Sequence, residues 1–222
     1  MAFRSKKTLS LLLSLAINIA GFSQDLESYF ISGMKSQLQI NQELRQALIT
    51  KYRNGEGNSI QTPNGGITSV LEYKENDYLK ISTSSDGYFS MKRWVINGVP
   101  VFGLSWWVCS PFCDGVVKIA TESNTVTNAL IFPQVTISDF ANKDSLAAES
   151  LTSQDFADKF EVEFIHYEFT ASDTIWAINQ TEANLDEIRR KRYKKYWSGN
   201  ALPIVHTNGK FVKGTVTKRQ NK

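Results

Sequence analysis

Alternating apolar and polar positions predict that the centre of the chain, residues 87–121, folds as a set of β-hairpins. The dipeptide Asn97-Gly98 is typical of a type I′ turn, which requires positive φ at both central residues. Pairing the flanking residues outward from this turn predicts one face that is almost wholly apolar and carries Phe89, Met91, Phe102, Leu104 and Trp106. We expect this face to lie in the core.

The opposite face of the same hairpin is mixed but still rich in aromatic residues. It carries Tyr88, Ser90, Lys92, Trp94, Ser105 and Trp107. Side chains alternate across a strand, so a slip of one residue would exchange the two faces. We expect the mixed face to be at least partly covered.

Short connections with turn-forming residues separate five predicted strands, at 67–74, 78–83, 87–96, 99–109 and 115–121. Connections this short force neighbouring strands to be antiparallel, so the pattern indicates a meander. Further strands are predicted in the C-terminal half, at 161–169, 174–179, 202–207 and 210–216.

Helical spacing of apolar residues predicts helices at 25–34, at 41–53 with Asn41 as its cap, and at 185–197 with Asn184 as its cap. Residues 54–66 are expected to form a loop. A short helix capped by Ser153 is expected over 154–160, and residues 130–132 have the pattern of a brief strand. Residues 138–150 have the pattern of a loop or a broken helix. The fold class is therefore α+β: an antiparallel sheet with a five-strand meander, packed by two or three helices.

The first 23 residues have the pattern of a secretory signal peptide. Basic residues at the start precede an apolar run, Leu9 to Ala20, which is too short to span a bilayer. Cleavage after Ser23 would leave Gln24 as the new N-terminus. We therefore expect a single exported domain, 24–222, in which 122–160 is an irregular insertion, and no transmembrane segment in the mature chain.

Removal of the signal peptide changes the charge balance. It takes away three of the 25 basic residues and no acidic ones, which leaves 22 of each sign. The positive charge of the whole chain thus belongs to the targeting segment. The basic run at 189–195 is interpreted as a solvated helix face, and we expect no nucleic-acid partner.

Two cysteines bracket the predicted turn Ser110-Pro111-Phe112. A loop of three residues would place Cys109 and Cys113 almost opposite each other, and an exported chain with two cysteines favours a structural disulfide over a metal site. The alternative is a thiol–disulfide or copper-handling pair with His206 as a distant third ligand. The β pattern continues on both sides of the turn, whereas redox cysteines usually sit at the start of a helix.

Other candidate chemistry is sparse. His166 and His206 are the two histidines, and each is interpreted as a partly buried or surface residue. No zinc-protease, nucleophile-elbow or phosphate-loop motif is present in the sequence. Trp94 and Trp107 are interpreted first as core residues and alternatively as a stacking platform for a glycan.

Several of these features together resemble a family of exported proteins of Bacteroides-type bacteria that is classed as a domain of unknown function. The resemblance rests on the helix around Leu44 to Tyr52, the meander, the turn Cys109-Ser110-Pro111-Phe112-Cys113-Asp114, and the end of the chain. At that end, helix 185–197 precedes Pro203-Ile204-Val205 and Asn208-Gly209-Lys210-Phe211. The resemblance implies an exported α+β fold and carries no activity or catalytic residues.

The absence of a catalytic motif, beside many aromatic residues, favours an exported, soluble, non-catalytic binding or accessory module of the periplasm or cell exterior. Its partners would be an envelope protein or a glycan, and no cofactor is expected. The two alternatives are a thiol–disulfide or copper-handling protein that uses Cys109, Cys113 and His206, and a glycan-binding protein that uses Trp94 and Trp107.

Overall fold

The predicted meander forms a six-stranded antiparallel sheet, sheet 1, in the computed structural model. The structure describes residues 25–34, 38, 40–62, 66, 68–121 and 132–219. Strands that follow one another in sequence are neighbours in sheet 1: β1 (Ser59–Gln61), β2 (Thr68–Lys74), β3 (Tyr78–Ser82), β4 (Gly87–Ile96), β5 (Val99–Cys109) and β6 (Cys113–Thr121). The five predicted strands are present. Strand β1 is an addition, and it lies in a segment that was predicted to be a loop.

The register of the β4–β5 hairpin is the one predicted from its turn. Asn97 and Gly98 have φ angles of 52° and 79°. Phe89 pairs with Trp106 and Tyr88 pairs with Trp107, so the two predicted faces are those observed.

The strands of the C-terminal half form a separate sheet, sheet 2, and do not extend the meander. Its strands are β7 (Ile165–Phe169), β8 (Thr174–Asn179), β9 (Ala201–Thr207) and β10 (Lys210–Lys213), in the spatial order β10-β9-β8-β7. The first of these begins at Ile165, four residues later than predicted at 161. The prediction of one antiparallel sheet therefore requires correction to two.

Two N-terminal helices cover the apolar face of sheet 1. Helix α1 (Leu26–Ser28) continues as a π-helical turn, Tyr29–Gly33, and α2 (Gln42–Arg53) is capped by Asn41 as predicted. The ring of Tyr29 stacks on Phe102 with centroids 3.9 Å apart. The helices therefore seal an apolar layer that includes Phe89, Met91 and Leu104 from the sheet.

Sheet 2 covers the mixed face of sheet 1 through its edge strand, β7. The Ser105 Oγ donates a hydrogen bond to the Tyr167 carbonyl at 2.6 Å. A Cβ on Gly103 would lie 2.8 Å from the Phe169 ring and 2.6 Å from the Trp94 ring. Small residues on this face thus allow β7 to approach closely. The expectation that the mixed face is covered is confirmed.

Short helices fill the segment between the two sheets. They are a 3₁₀ turn (Ile137–Phe140), α3 (Lys143–Ala147) and α4 (Ser153–Ala157). Residues 138–150 were expected to form a loop or a broken helix, and the structure has the broken helix. The cap of α4 is Thr152, one residue before the predicted Ser153. The strand predicted at 130–132 falls mostly outside the described residues.

The last helix is shorter than predicted. Helix α5 (Glu187–Tyr193) is capped by Asp186 instead of Asn184, and a 3₁₀ turn, Lys194–Tyr196, follows it. Ile188 is apolar and would be expected to face the core, but 74% of its surface is exposed. The helix is attached through the residues after it, Tyr196 and Trp197, which are buried.

A buried arginine joins the two N-terminal helices. Arg45 of α2 is only 4% exposed. Its guanidinium donates hydrogen bonds to the carbonyls of Ile40, Ile31 and Met34 at 2.8, 2.8 and 2.6 Å. Two of these carbonyls belong to the end of the α1 segment, so Arg45 satisfies groups that a helix end leaves without intrahelical partners.

We predict that Arg45→Met lowers the free energy of unfolding by about 3 kcal/mol, because three carbonyls lose a charged donor at a buried site. Urea unfolding measures the change. Arg53→Met in the same helix is the matched control, since this side chain is 61% exposed and its partner Glu27 keeps Lys74 as a second cation. Equal effects of the two substitutions would contradict the role given to Arg45.

Candidate functional site

A cleft opens between the two sheets at the disulfide end of β5, and we call it the inter-sheet cleft. One part is a cavity of about 320 Å³ that includes Trp107 and Lys80 of sheet 1, and His166, Glu168 and Gln180 of the second half of the chain. An adjoining part of about 430 Å³ shares Lys80, Trp107, Glu168 and Arg219 with it.

Strand β7 positions the two side chains at the centre of the cleft. Its residues alternate between two environments, as expected for a strand. Ile165, Tyr167 and Phe169 lie in the core. His166 and Glu168 lie between them in sequence and line the cleft.

Glu168 forms the electrostatic centre of the cleft. Its Oε2 lies 2.7 Å from Arg219 Nη1, and its Oε1 lies 3.4 Å from His166 Nε2. The hydrogen bond with His166, followed by the charge of Arg219, holds the pKa of the Glu168 carboxyl below its usual value against the opposing effect of burial. This carboxylate is therefore ionised at neutral pH and available as a hydrogen-bond acceptor.

His166 carries an unsatisfied polar atom. The residue is 2% exposed, and its Nδ1 has no hydrogen-bond partner among the described residues. Buried polar atoms are normally paired, so an unpaired one beside a cavity is a position that a ligand or a water can satisfy. The second ring nitrogen faces Glu168, which leaves Nδ1 as the free position.

An aromatic wall closes one side of the cleft. The Trp107 ring stacks on Tyr88 at 5.4 Å and on His166 at 6.0 Å between centroids. Lys80 Nζ lies 4.7 Å from the centroid of the Tyr88 ring and is paired with Glu72 at 2.8 Å. The charges around the wall thus occur in pairs of opposite sign.

Tyr78 lies in the wider part of the cleft. Burial, with smaller contributions from Glu168 and Glu72, raises the pKa of its phenol well above the usual value. The Tyr78 hydroxyl is therefore protonated at every physiological pH and can donate a hydrogen bond.

The two cysteines are disulfide-bonded and face each other across the β5–β6 register. Both line the narrower part of the cleft. The Cys113 backbone N–H donates a hydrogen bond to Gln180 Oε1 at 2.9 Å, which ties the turn to the residue that follows β8.

The other two side chains that the sequence singled out, Trp94 and His206, do not form a site with the cysteines. Trp94 is 6% exposed and packs edge-on against Phe169 and Phe211. His206 contacts Phe211, with centroids 5.3 Å apart, near the opposite end of the hairpin. His206 is thus remote from the disulfide, and His166 is the histidine that shares its cavity. Among the residues that the structure describes, no cluster of three or more His, Cys, Asp or Glu side chains could hold a metal ion.

Sequence reasoning missed the central residues of the cleft. His166 was interpreted as an ordinary partly buried residue, and Glu168 and Arg219 were not singled out. The one available signal was the placement of His166 and Glu168 two residues apart in an otherwise apolar strand, which puts both on one face.

Fold and cleft together define a disulfide-bonded α+β protein with two antiparallel sheets and a polar cleft between them. The chain belongs to the family described as "Protein of unknown function (DUF3256)", whose family model matches residues 19–211. The resemblance to a domain of unknown function is thereby confirmed. Arg219 lies beyond the matched residues.

A solved structure has a similar fold. It is that of a domain of an uncharacterized protein from Porphyromonas gingivalis W83, with 20% sequence identity and a TM-score of 0.67. The similarity covers 85% of this chain and 97% of that one. No curated protein matches the chain. None of the helices in the described part is long and apolar enough to cross a membrane.

We predict that Cys109→Ser combined with Cys113→Ser lowers the free energy of unfolding by about 2 kcal/mol, the loop-closure value for a bridge this short. Urea unfolding of the variant and of the oxidised wild type measures it. As a control, a reductant should weaken the wild type and leave the double variant unchanged.

The redox alternative has a different outcome. Alkylation after graded reduction would then find a pair that cycles within the glutathione range, together with a double variant as stable as the wild type.

Proposed function

We propose that the protein is an exported, non-catalytic binding module of the cell envelope, and that its ligand occupies the inter-sheet cleft. The observation that carries the proposal is the buried, unpaired Nδ1 of His166 in a cavity with an aromatic wall. Concave sites with apolar walls and a few convergent polar groups are the usual form of small-ligand sites.

Charge pairing in the cleft favours a polar ligand without net charge. Lys80 is paired with Glu72, and Arg219 with Glu168. These pairs offer donors and acceptors but no uncompensated charge, and a sugar or short glycan has matching chemistry. The sugar would bind in the cleft as a whole. It would not stack on an exposed tryptophan ring, because the Trp107 ring already stacks on Tyr88 and His166.

The protonation state of Glu168 supports binding over catalysis. A general acid or base works best with a pKa near the operating pH, whereas the hydrogen bond with His166 moves the pKa of Glu168 away from neutrality. The carboxylate is thus suited to hold a hydroxyl group in place. Turnover of an envelope substrate by the purified protein would contradict this part of the proposal.

Export rests on the sequence pattern of residues 1–23, which lie outside the described residues. We predict that native material begins at Gln24 and is recovered with the periplasmic or secreted fraction. Intact-mass measurement and N-terminal sequencing test this. Recovery of the full 222-residue chain from the cytoplasm would contradict it.

Thiol–disulfide chemistry is the second candidate function. The observation that favours it is that Cys109, Cys113 and His166 line the same cavity, so a histidine is available near the sulfur atoms. In this candidate function His166, and not His206, is the histidine that would act with the two cysteines.

We predict that a ligand of the cleft perturbs the imidazole resonances of His166 and leaves those of His206 unchanged. The panel would contain neutral monosaccharides, disaccharides and envelope glycan fragments, with NMR of the two histidines and calorimetry as readouts. His166→Leu should weaken binding about tenfold or more, because the hydrogen bond to the ligand is lost.

The matched control is His206→Leu, the same change at the other end of the hairpin. It should bind as the wild type does. If no member of the panel binds, or if both substitutions weaken binding equally, the cleft is not the ligand site.

A further inference from the structure

A second concave site lies beside the inter-sheet cleft, and we call it the basic pocket. It has a volume of about 580 Å³ and lies between the end of β8, helix α5 with its following turn, and the C-terminal segment. Gln180 and Arg219 line both the pocket and the cleft.

Three cations line the basic pocket without a carboxylate partner in direct contact. They are Arg190, Lys194 and Lys218. Arg190 is fixed in place, since its Nη2 donates to the carbonyls of Ala183 and Leu185 at 2.7 and 3.0 Å. Within the described part of the chain, none of the three lies within 4.0 Å of a carboxylate oxygen, whereas Lys191 of the same helix is paired with Glu187 at 2.7 Å.

Two side-chain amides add donors to the pocket. Asn179 Oδ1 accepts a hydrogen bond from the Thr181 N–H at 2.9 Å, and Gln180 Oε1 accepts one from the Cys113 N–H. A backbone N–H can bond only to the amide oxygen, so both amides are held with their NH₂ groups left over as donors.

Trp197 contributes an unsatisfied donor. It lines the pocket and is 6% exposed, and its indole Nε1 has no hydrogen-bond partner in the part of the chain that the structure describes. An indole N–H only donates, so the partner that it requires is an acceptor. This donor is independent of the charges, and an oxyanion is one kind of acceptor that can satisfy it.

The pocket lining also contains one carboxylate, which would repel an anion. Glu182 also lines the pocket, and burial raises its pKa, while Arg190, Lys218 and Lys194 act in the opposite direction. A single carboxylate faces three cations, so the pocket keeps a net positive charge.

We propose that the basic pocket binds a polyvalent oxyanion, the phosphate or sulfate group of a ligand. Phosphate and sulfate oxygens accept several charged hydrogen bonds at once, and the lining supplies cations, amide NH₂ groups and an indole N–H. The proposal depends on the basic pocket alone, so it stands or fails separately from occupancy of the inter-sheet cleft.

Calorimetry of the full mature chain with inorganic pyrophosphate and with inorganic sulfate tests the site. We expect saturable binding of at least one of them; binding of sulfate alone would indicate a sulfate ester, and binding of pyrophosphate alone a phosphoryl group. Lys194→Gln combined with Lys218→Gln should weaken binding by at least about tenfold, which corresponds to about 1.4 kcal/mol.

The matched control is Lys191→Gln combined with Arg192→Gln. It removes the same charge from the same part of the surface but leaves the pocket lining intact, so affinity should stay within about twofold of the wild type. Equal losses in the two double variants would show a non-specific effect of net charge and overturn the proposal. Absence of saturable binding to both anions would also overturn it.

Trp197→Phe provides a readout that net charge does not affect. It keeps a ring in the core and removes the indole N–H, so anion affinity should fall about tenfold while the net charge is unchanged. In the wild type, the indole N–H resonance that is missing from Trp197→Phe should shift on addition of pyrophosphate. Binding without any shift of that resonance would contradict the assigned pocket.

Discussion

The β4–β5 hairpin has two faces that must both be removed from water, and the rest of the fold is arranged around that requirement. A soluble antiparallel sheet commonly buries one face and hydrates the other. Here the first face carries Phe89, Met91, Phe102 and Leu104, and the second carries Trp94, Val101 and Trp107. A single covering layer would leave one aromatic surface exposed, so the chain supplies helices for one face and a second sheet for the other.

Helices cover the first face and a strand of sheet 2 covers the second, because the two faces differ in shape. The first face is uniformly large and apolar, and a helical layer packs on it through rings such as Tyr29 on Phe102. The second face has a band of small residues, among them Ser90, Gly103 and Ser105, where the backbone of β7 comes close enough for a hydrogen bond. Strand β7 therefore packs on this band through its backbone, and its side chains extend to one side of the band or the other.

Strand β7 in this position contributes side chains both to the core and to the candidate site. The side chains on one side of the strand complete the core, and those on the other side, His166 and Glu168, cannot enter it and instead line the inter-sheet cleft. The C-terminal segment then brings Arg219 to Glu168 and places Lys218 in the basic pocket. Two adjoining concave sites of different character result, one with paired charges and one with an excess of donors.

Local patterns in the sequence were sufficient for much of this fold. The turn Asn97-Gly98, the alternation in β4 and β5, the cap Asn41 and the closeness of Cys109 to Cys113 all depend on neighbours within a few residues or one hairpin. The split into two sheets, the exposed Ile188 and the buried Arg45 were not predictable in this way, because each depends on contacts with segments far away in sequence. The cleft and the basic pocket are of the same kind, since His166, Gln180 and Arg219 acquire their roles only when β7, β8 and the chain end meet. The sequence by itself therefore determined the local elements and their register, while the tertiary structure decided which polar groups converge, because convergence depends on long-range packing that no local pattern records.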